Sequence, residues 1–170
     1  ARHPSVIAIG ETGLDFNRNF SSASAQERSF AGHIEIACEV ELPLFLHERD
    51  AATRQLDILQ QHRDQIPQAV IHCFTGEKSA LYGYLDLDFY IGITGWLCDE
   101  TRGLVLQKLT NEIPLNLLLI ETDAPYLLPP TLADQPKNRR CEPHHLSEAL
   151  RTLAEQRSEI STPPTTLEMT

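Results

Sequence analysis

No stretch of this sequence approaches the roughly 20 consecutive apolar residues that a membrane-spanning helix requires, although hydrophobic residues make up an ordinary 41% of the 170. No basic-then-apolar secretory leader opens it. It starts Ala1-Arg2-His3-Pro4 without methionine, which reads as a fragment or a processed form. The only cysteines are Cys38, Cys73, Cys98 and Cys141, and no two form a CxxC pair. That spacing argues against a zinc knuckle and a disulfide framework and fits a reducing, cytoplasmic setting. Basic residues are scarce beside acidic ones, 14 against 24, for a net charge of −10. The broad basic footprint of a non-specific nucleic-acid binder is therefore missing. Acidic residues gathered around cations are compatible with this charge, because the cations invert the local field. No low-complexity tract or linker divides the chain, so residues 1–170 read as a single domain with its own core.

What the sequence does have is centred on Leu117–Pro129, LLLIETDAPYLLP. An apolar run bounded by Pro114 and Pro125 reads as a buried parallel strand. A side-chain period of two puts Leu117, Leu119, Glu121 and Asp123 on one face. Two carboxylates at the end of a buried strand are costly unless paired, hydrogen-bonded or bound to metal.

The same arrangement recurs upstream. Val6–Glu11 (VIAIGE) places Ile7, Ile9 and Glu11 on one face, so a carboxylate again ends the strand. Ser24-Ala25-Gln26-Glu27 reads as a capping box opening a helix with Phe30, Ile34, Ala37 and Cys38 inside. Leu42–His47 (LPLFLH) ends in His47, and Asp50 is placed to cap a helix carrying Ala52, Leu56 and Leu59. Ala69–His72 ends in His72, and a weaker helical pattern through Leu81 and Leu85 follows. Phe89–Ile93 leads to Thr94-Gly95-Trp96, then a helix is expected over Asp99–Thr110. After the Pro-rich loop Tyr126–Cys141, Glu142-Pro143 starts a last helix through Leu146, Leu150 and Leu153. The tail Ser161–Thr170 reads as poorly ordered or cut short. Five strand–helix units in tandem predict an α/β fold with parallel strands in sequential neighbour order.

In a parallel α/β fold the C-terminal strand ends lie along one edge or ring one mouth. Glu11, His47, His72 and Asp123 thus converge although far apart in sequence. Two imidazoles with two carboxylates are a donor set for a divalent hydrolytic centre. Each residue alone has an ordinary structural explanation. Four such residues at four of five strand ends favour a site.

The segments AIGETGLD (8–15), HCFTG (72–76), YIGITGW (90–96) and ETDAPYLLP (121–129), in this order, resemble the TatD family of metal-dependent deoxyribonucleases. The resemblance runs from Val6 to about Leu150. It implies a (β/α)8 TIM-barrel type fold with only the last five β/α units in this chain. It also implies 3′-to-5′ exonuclease action on DNA, preferably single-stranded, with one or two divalent cations, Mg2+ first and Zn2+ or Mn2+ as alternatives. By motif position Glu11 matches a carboxylate that can bridge two ions, which sit roughly 3.5–4 Å apart in two-metal sites. His47 (in LHERDA) and His72 match the histidine ligands. Asp123 matches an acidic ligand that also handles the proton of the attacking water, and Glu121 an acidic position of the site. An early His-x-His pair common in the family is not among these residues. Cys141 stands where Asn is common, and Thr12 is a milder variation.

Arg49, Arg139 and Arg140 are candidates for phosphate, since the guanidinium fork matches it bidentately; solvated surface charge is the other account of the two loop arginines. Trp96 reads either as a stacking face for a base or as packing at a strand end. His62, His144 and His145 read as surface or helix-start residues. An amidohydrolase-like barrel cleaving C–N or ester bonds is the competing enzyme, although no lysine ends any strand. A truncated, inactive fragment acting only by association is the reading from another class. The expected partner is DNA, with no membrane.

Overall fold

The computed structural model describes residues 3–157. Five strands, β1 (Ile9–Asp15), β2 (Leu44–Arg49), β3 (Ala69–Ile71), β4 (Tyr90–Ile93) and β5 (Leu118–Ile120), form one sheet in the order β1-β2-β3-β4-β5. All four pairings are parallel, as the tandem pattern predicts. Helices α1 (Ala23–Val40), α2 (Ala52–His62), α3 (Lys78–Asp86), α4 (Leu104–Leu109) and α5 (Leu146–Gln156) follow the strands in turn.

Burial alternates along the strands. Leu44, Leu46, Ala69, Ile71 and Ile91 are buried with Phe30 and Ile34 of α1, Leu59 of α2 and Leu81 and Tyr84 of α3 in one apolar core. Phe45, Val70 and Tyr90, one residue out of phase, are only half-buried. The period of two therefore separates a helix-covered face from the face that carries His47, and β2 does not end at that histidine but runs on to Arg49. Only β4 is buried at consecutive residues, Ile91, Gly92 and Ile93; β2 and β3 are not buried on both sides, and Leu119 of β5 is 42% exposed.

Several boundaries differ from the sequence reading. The first strand does not stop at Glu11; it runs to Asp15, while Ile7 lies outside it and is exposed. Ser22, not Ser24, caps α1: its backbone is extended and its side chain accepts the Ala25 N–H. Asp50 does not cap α2. Its backbone is left-handed (φ 53°) and its carboxylate takes Asn17 Nδ2 at 2.7 Å, while the Ala51 N–H goes to Glu48 Oε1 at 2.7 Å. The helix expected over Asp99–Thr110 shrinks to α4, because the Asp99 carboxylate accepts the Thr101 and Arg102 N–H groups in a turn. β5 is short, entered through a 3-10 turn at Leu115–Leu117. His145 is at a helix start but buried, its Nδ1 accepting the Glu142 N–H at 2.9 Å. The tail Ser161–Thr170 lies outside the described residues.

Candidate metal centre

The pairing of β1 with β2 skips Glu11: Gly10 lies opposite Phe45 and Thr12 opposite Leu46. Such a bulge leaves the extra residue unpaired and re-aims its side chain. Glu11 and Asp15 consequently reach the same imidazole. His47 Nδ1 is 3.0 Å from Glu11 Oε1, and its Nε2 is 3.2 Å from Asp15 Oδ2. Close approach of the two strands here requires Gly13, where φ is +142° and a Cβ would sit 1.9 Å from the His47 carbonyl oxygen. Gln26 of α1 grips the backbone of Asp15 from the other side. Its Oε1 accepts the Asp15 N–H at 2.8 Å and its Nε2 donates to the Asp15 carbonyl at 3.0 Å. Partial burial opposes the charge on Asp15, but the Arg18 N–H, the His47 ring and the Arg18 guanidinium outweigh it and hold the carboxyl below its usual range.

The second cluster forms between β3 and β5. His72 directly follows β3, its N–H bonded to the Leu46 carbonyl and its ring packed on Phe45 with centroids 4.8 Å apart. Asp123, held in a turn by the Tyr126 N–H to its carbonyl, places Oδ1 3.3 Å from His72 Nε2. Glu121 Oε1 lies 2.9 Å from His72 Nδ1. That approach is too oblique for a hydrogen bond, and among the described residues the buried Nδ1 has no hydrogen-bond partner. The same Oε1 accepts the Cys73 N–H at 2.7 Å. Burial works against a charged His72, yet Glu121, Glu11 and Asp123 outweigh it and raise its pKa. Burial also pushes the neighbouring Cys73 thiol up to about 12, which removes thiolate chemistry from consideration.

Glu11, His47, His72 and Asp123 line one cavity of about 900 Å³, together with Asp15, Arg18, Arg49, Trp96, Arg102 and Tyr126. They stand in two histidine–carboxylate clusters. Among the described residues, no three His, Cys, Asp or Glu side chains are arrayed around a single cation position, because each imidazole closes on its nearest carboxylates. The donor set still suits a divalent ion: two imidazoles with four carboxylates against their ring nitrogens, three of which, Glu11, Asp15 and Asp123, line the cavity. Glu121 does not line the cavity; it stands behind His72. Arg49 does line it, whereas Arg139 and Arg140 are exposed on the loop after β5 and do not. Asp15, Arg18, Gln26 and Arg102 went unassigned in the sequence. For Asp15 a signal existed, since Glu11, Gly13 and Asp15 alternate in GETGLD.

Over residues 1–166 the chain matches the family model described as TatD related DNase. A Citrobacter koseri protein named 3'-5' ssDNA/RNA exonuclease TatD is 53% identical over 159 residues, covering 94% of this chain and 61% of that relative. The Escherichia coli K12 protein of the same name is 50% identical with the same coverage. The chain thus spans about three fifths of the length of these curated relatives. Among solved structures, a TatD homologue from Escherichia coli K12 superposes with a TM-score of 0.78 at 25% identity, over 90% of this chain and 57% of that one. A TatD family hydrolase from Entamoeba histolytica gives 0.75 at 26%, over 91% and 56%. The five parallel β/α units are of the same α/β barrel type.

Proposed function

This chain belongs to the TatD-related DNase family, and on that premise we propose that it carries the metal-binding side of a hydrolase cleaving phosphodiester bonds of single-stranded nucleic acid from the 3′ end. The observation that carries the reading is the convergence of His47 and His72, each flanked by two carboxylates, on one cavity. Glu11 and His47, with His72 and Asp123, are the residues that would hold a divalent cation, Mg2+ first among the candidates. When bound, such an ion would supply Lewis acidity and lower the pKa of its bound water.

The chain's own residues do the rest. Asp15 fixes the His47 ring through Nε2, and Glu121 backs His72. Asp123, on the cavity side of His72, is placed to accept the proton of an attacking water. Burial of the His72 cluster strengthens each of these interactions relative to solvent.

An amidohydrolase acting on C–N or ester bonds is favoured less. Such centres often bridge their ions through a modified lysine, and no lysine lines this cavity among the described residues. The test is Mg2+- or Mn2+-dependent shortening of a 5′-labelled single-stranded oligonucleotide by the 170-residue chain, with EDTA and His72→Ala as controls. Metal-dependent shortening lost in His72→Ala supports the reading. Cleavage unaffected by EDTA, or full activity in His72→Ala, overturns it.

A further inference from the structure

Trp96, the chain's single tryptophan, stands on the 3-10 turn Gly95–Cys98 after β4 and lines the cavity of the two histidine clusters. Two guanidinium groups lie over its ring, Arg102 with Cζ 4.6 Å from the centroid and Arg49 with Cζ 5.4 Å away. The indole is itself tied down: Nε1 donates to the Arg102 carbonyl at 3.1 Å and the backbone N–H to Thr94 Oγ1 at 3.3 Å. A ring already holding two cations has little face left for a nucleic-acid base.

The cavity's arginines differ in what they have left to donate. Arg102 commits Nε to Asp99 Oδ2 at 2.7 Å, and Arg18 commits Nε to Asp15 Oδ2 at 2.9 Å. Arg49, among the described residues, makes no side-chain hydrogen bond and no ion pair; its contact is the indole. It is nevertheless half-buried in a cavity that Glu11, Asp15, Glu48 and Asp123 also line. An ordered guanidinium among four carboxylates, closed on none of them, keeps its donor fork available for an incoming anion. Its place along β2 defines where that anion sits. Arg49 follows His47 by two residues, on the same face and about 6.6 Å further along the strand.

We propose that Arg49, shelved on Trp96, is the phosphate anchor of this cavity. It takes a backbone phosphate of the single strand beside the bond held at His47 and His72, while Arg102 completes the shelf. The inference rests on the hydrolase reading above and deepens it. A planar fork matches phosphate oxygens bidentately and stacks on an aromatic face, which a lysine ammonium does not do.

The experiment uses the 170-residue chain in EDTA, so that no cleavage intervenes, with pentathymidylate as the probe. Binding is read by emission of Trp96 and, independently, by anisotropy of a 5′-fluorescein label. Wild type should give a saturable change. Arg49→Ala should raise Kd at least tenfold and flatten the slope of log K against log salt by about 0.7, the share of one single-strand phosphate contact. Arg49→Lys should remain at least fivefold weaker than wild type, and Arg102→Ala should lose less than threefold. Circular dichroism and calorimetric Mn2+ titration of each variant confirm an intact fold and intact metal binding. Pentathymidylate binding by Arg49→Ala within twofold of wild type overturns the anchor, as does full recovery in Arg49→Lys or no saturable signal from wild type. The two readings separate. Normal binding by Arg49→Ala beside metal-dependent cleavage by wild type sinks the anchor alone, whereas anchor-dependent binding without any cleavage sinks the hydrolase alone.

Discussion

The carboxylate of Glu121 occupies the space that a side chain on Gly92 would fill: a Cβ at Gly92 would meet Glu121 Oε1 at 2.2 Å. Through that gap Glu121 reaches the Cys73 N–H and stands 2.9 Å from His72 Nδ1. A motif glycine and a motif acid that look independent in the sequence are therefore one packed unit joining the ends of β3, β4 and β5.

Gly92→Ala tests this packing. The added methyl group must displace Glu121, so the substitution should cost about 1–3 kcal/mol, the usual range for overpacking a well-filled site. Urea denaturation measures that cost. The resonance of the Cys73 amide should shift as its acceptor leaves, and an unchanged Cys73 amide would show that Glu121 keeps its place.

The raised pKa of His72 sets a pH dependence in the metal-free chain. Its ordinary value is 6.5, and burial is outweighed by Glu121, Glu11 and Asp123. The protonated ring is thus favoured by folding. Its stabilising contribution is fully present below pH 6.5 and is lost as pH rises through the raised folded-state value. Glu121→Gln should lower the His72 pKa in an NMR titration and flatten stability against pH in that window. A His72 titration unmoved by Glu121→Gln would refute the assignment of cause.

Asp123 and the histidines should separate by readout. His47→Ala and His72→Ala each remove a ring nitrogen donor and should abolish most metal-dependent cleavage while weakening Mn2+ binding in calorimetry. Asp123→Asn keeps the shape and loses the proton acceptor, so turnover should fall by about 10²–10⁴, the usual span for a general base, with Mn2+ binding retained in part. Equal loss of binding in all three variants would remove the proton role from Asp123.

Tyr84→Phe should be tolerated. Tyr84 is fully buried in the core, and among the described residues its hydroxyl has no well-aligned hydrogen-bond partner although Gln55 lies beside it. Removing an unsatisfied buried hydroxyl should change stability by less than about 1 kcal/mol or increase it, whereas losing a real hydrogen bond there would cost about 1–3 kcal/mol. Thermal and urea unfolding distinguish these outcomes.

Gln26→Ala should destabilise the end of β1. Its amide makes both backbone bonds to Asp15 and a third to the Ser21 carbonyl at 2.9 Å. Leaving the Asp15 groups unpaired should cost about 1–3 kcal/mol. Hydrogen exchange at the Asp15 amide, faster in the variant and little changed in distant parts of the sheet, is the measurement.

The sequence by itself determined the succession of five parallel β/α units and brought Glu11, His47, His72 and Asp123 to one mouth. Those features follow from local periodicity: apolar runs at Leu42–His47 and Ala69–His72 specify strands, and the parallel sense aligns their ends. Only the tertiary structure decided which carboxylate serves which histidine. A skipped residue at Glu11 changes what points toward His47, and a one-residue slip in a strand turns every side chain over. Asp15 became a partner of His47 because β1 runs on past Glu11, and Glu121 went behind His72 because Gly92 leaves room there. Arg139 and Arg140 stayed on the surface while Arg49 found Trp96 across the cavity. These outcomes depend on distances between strands, set by register and packing, and no local spacing encodes them.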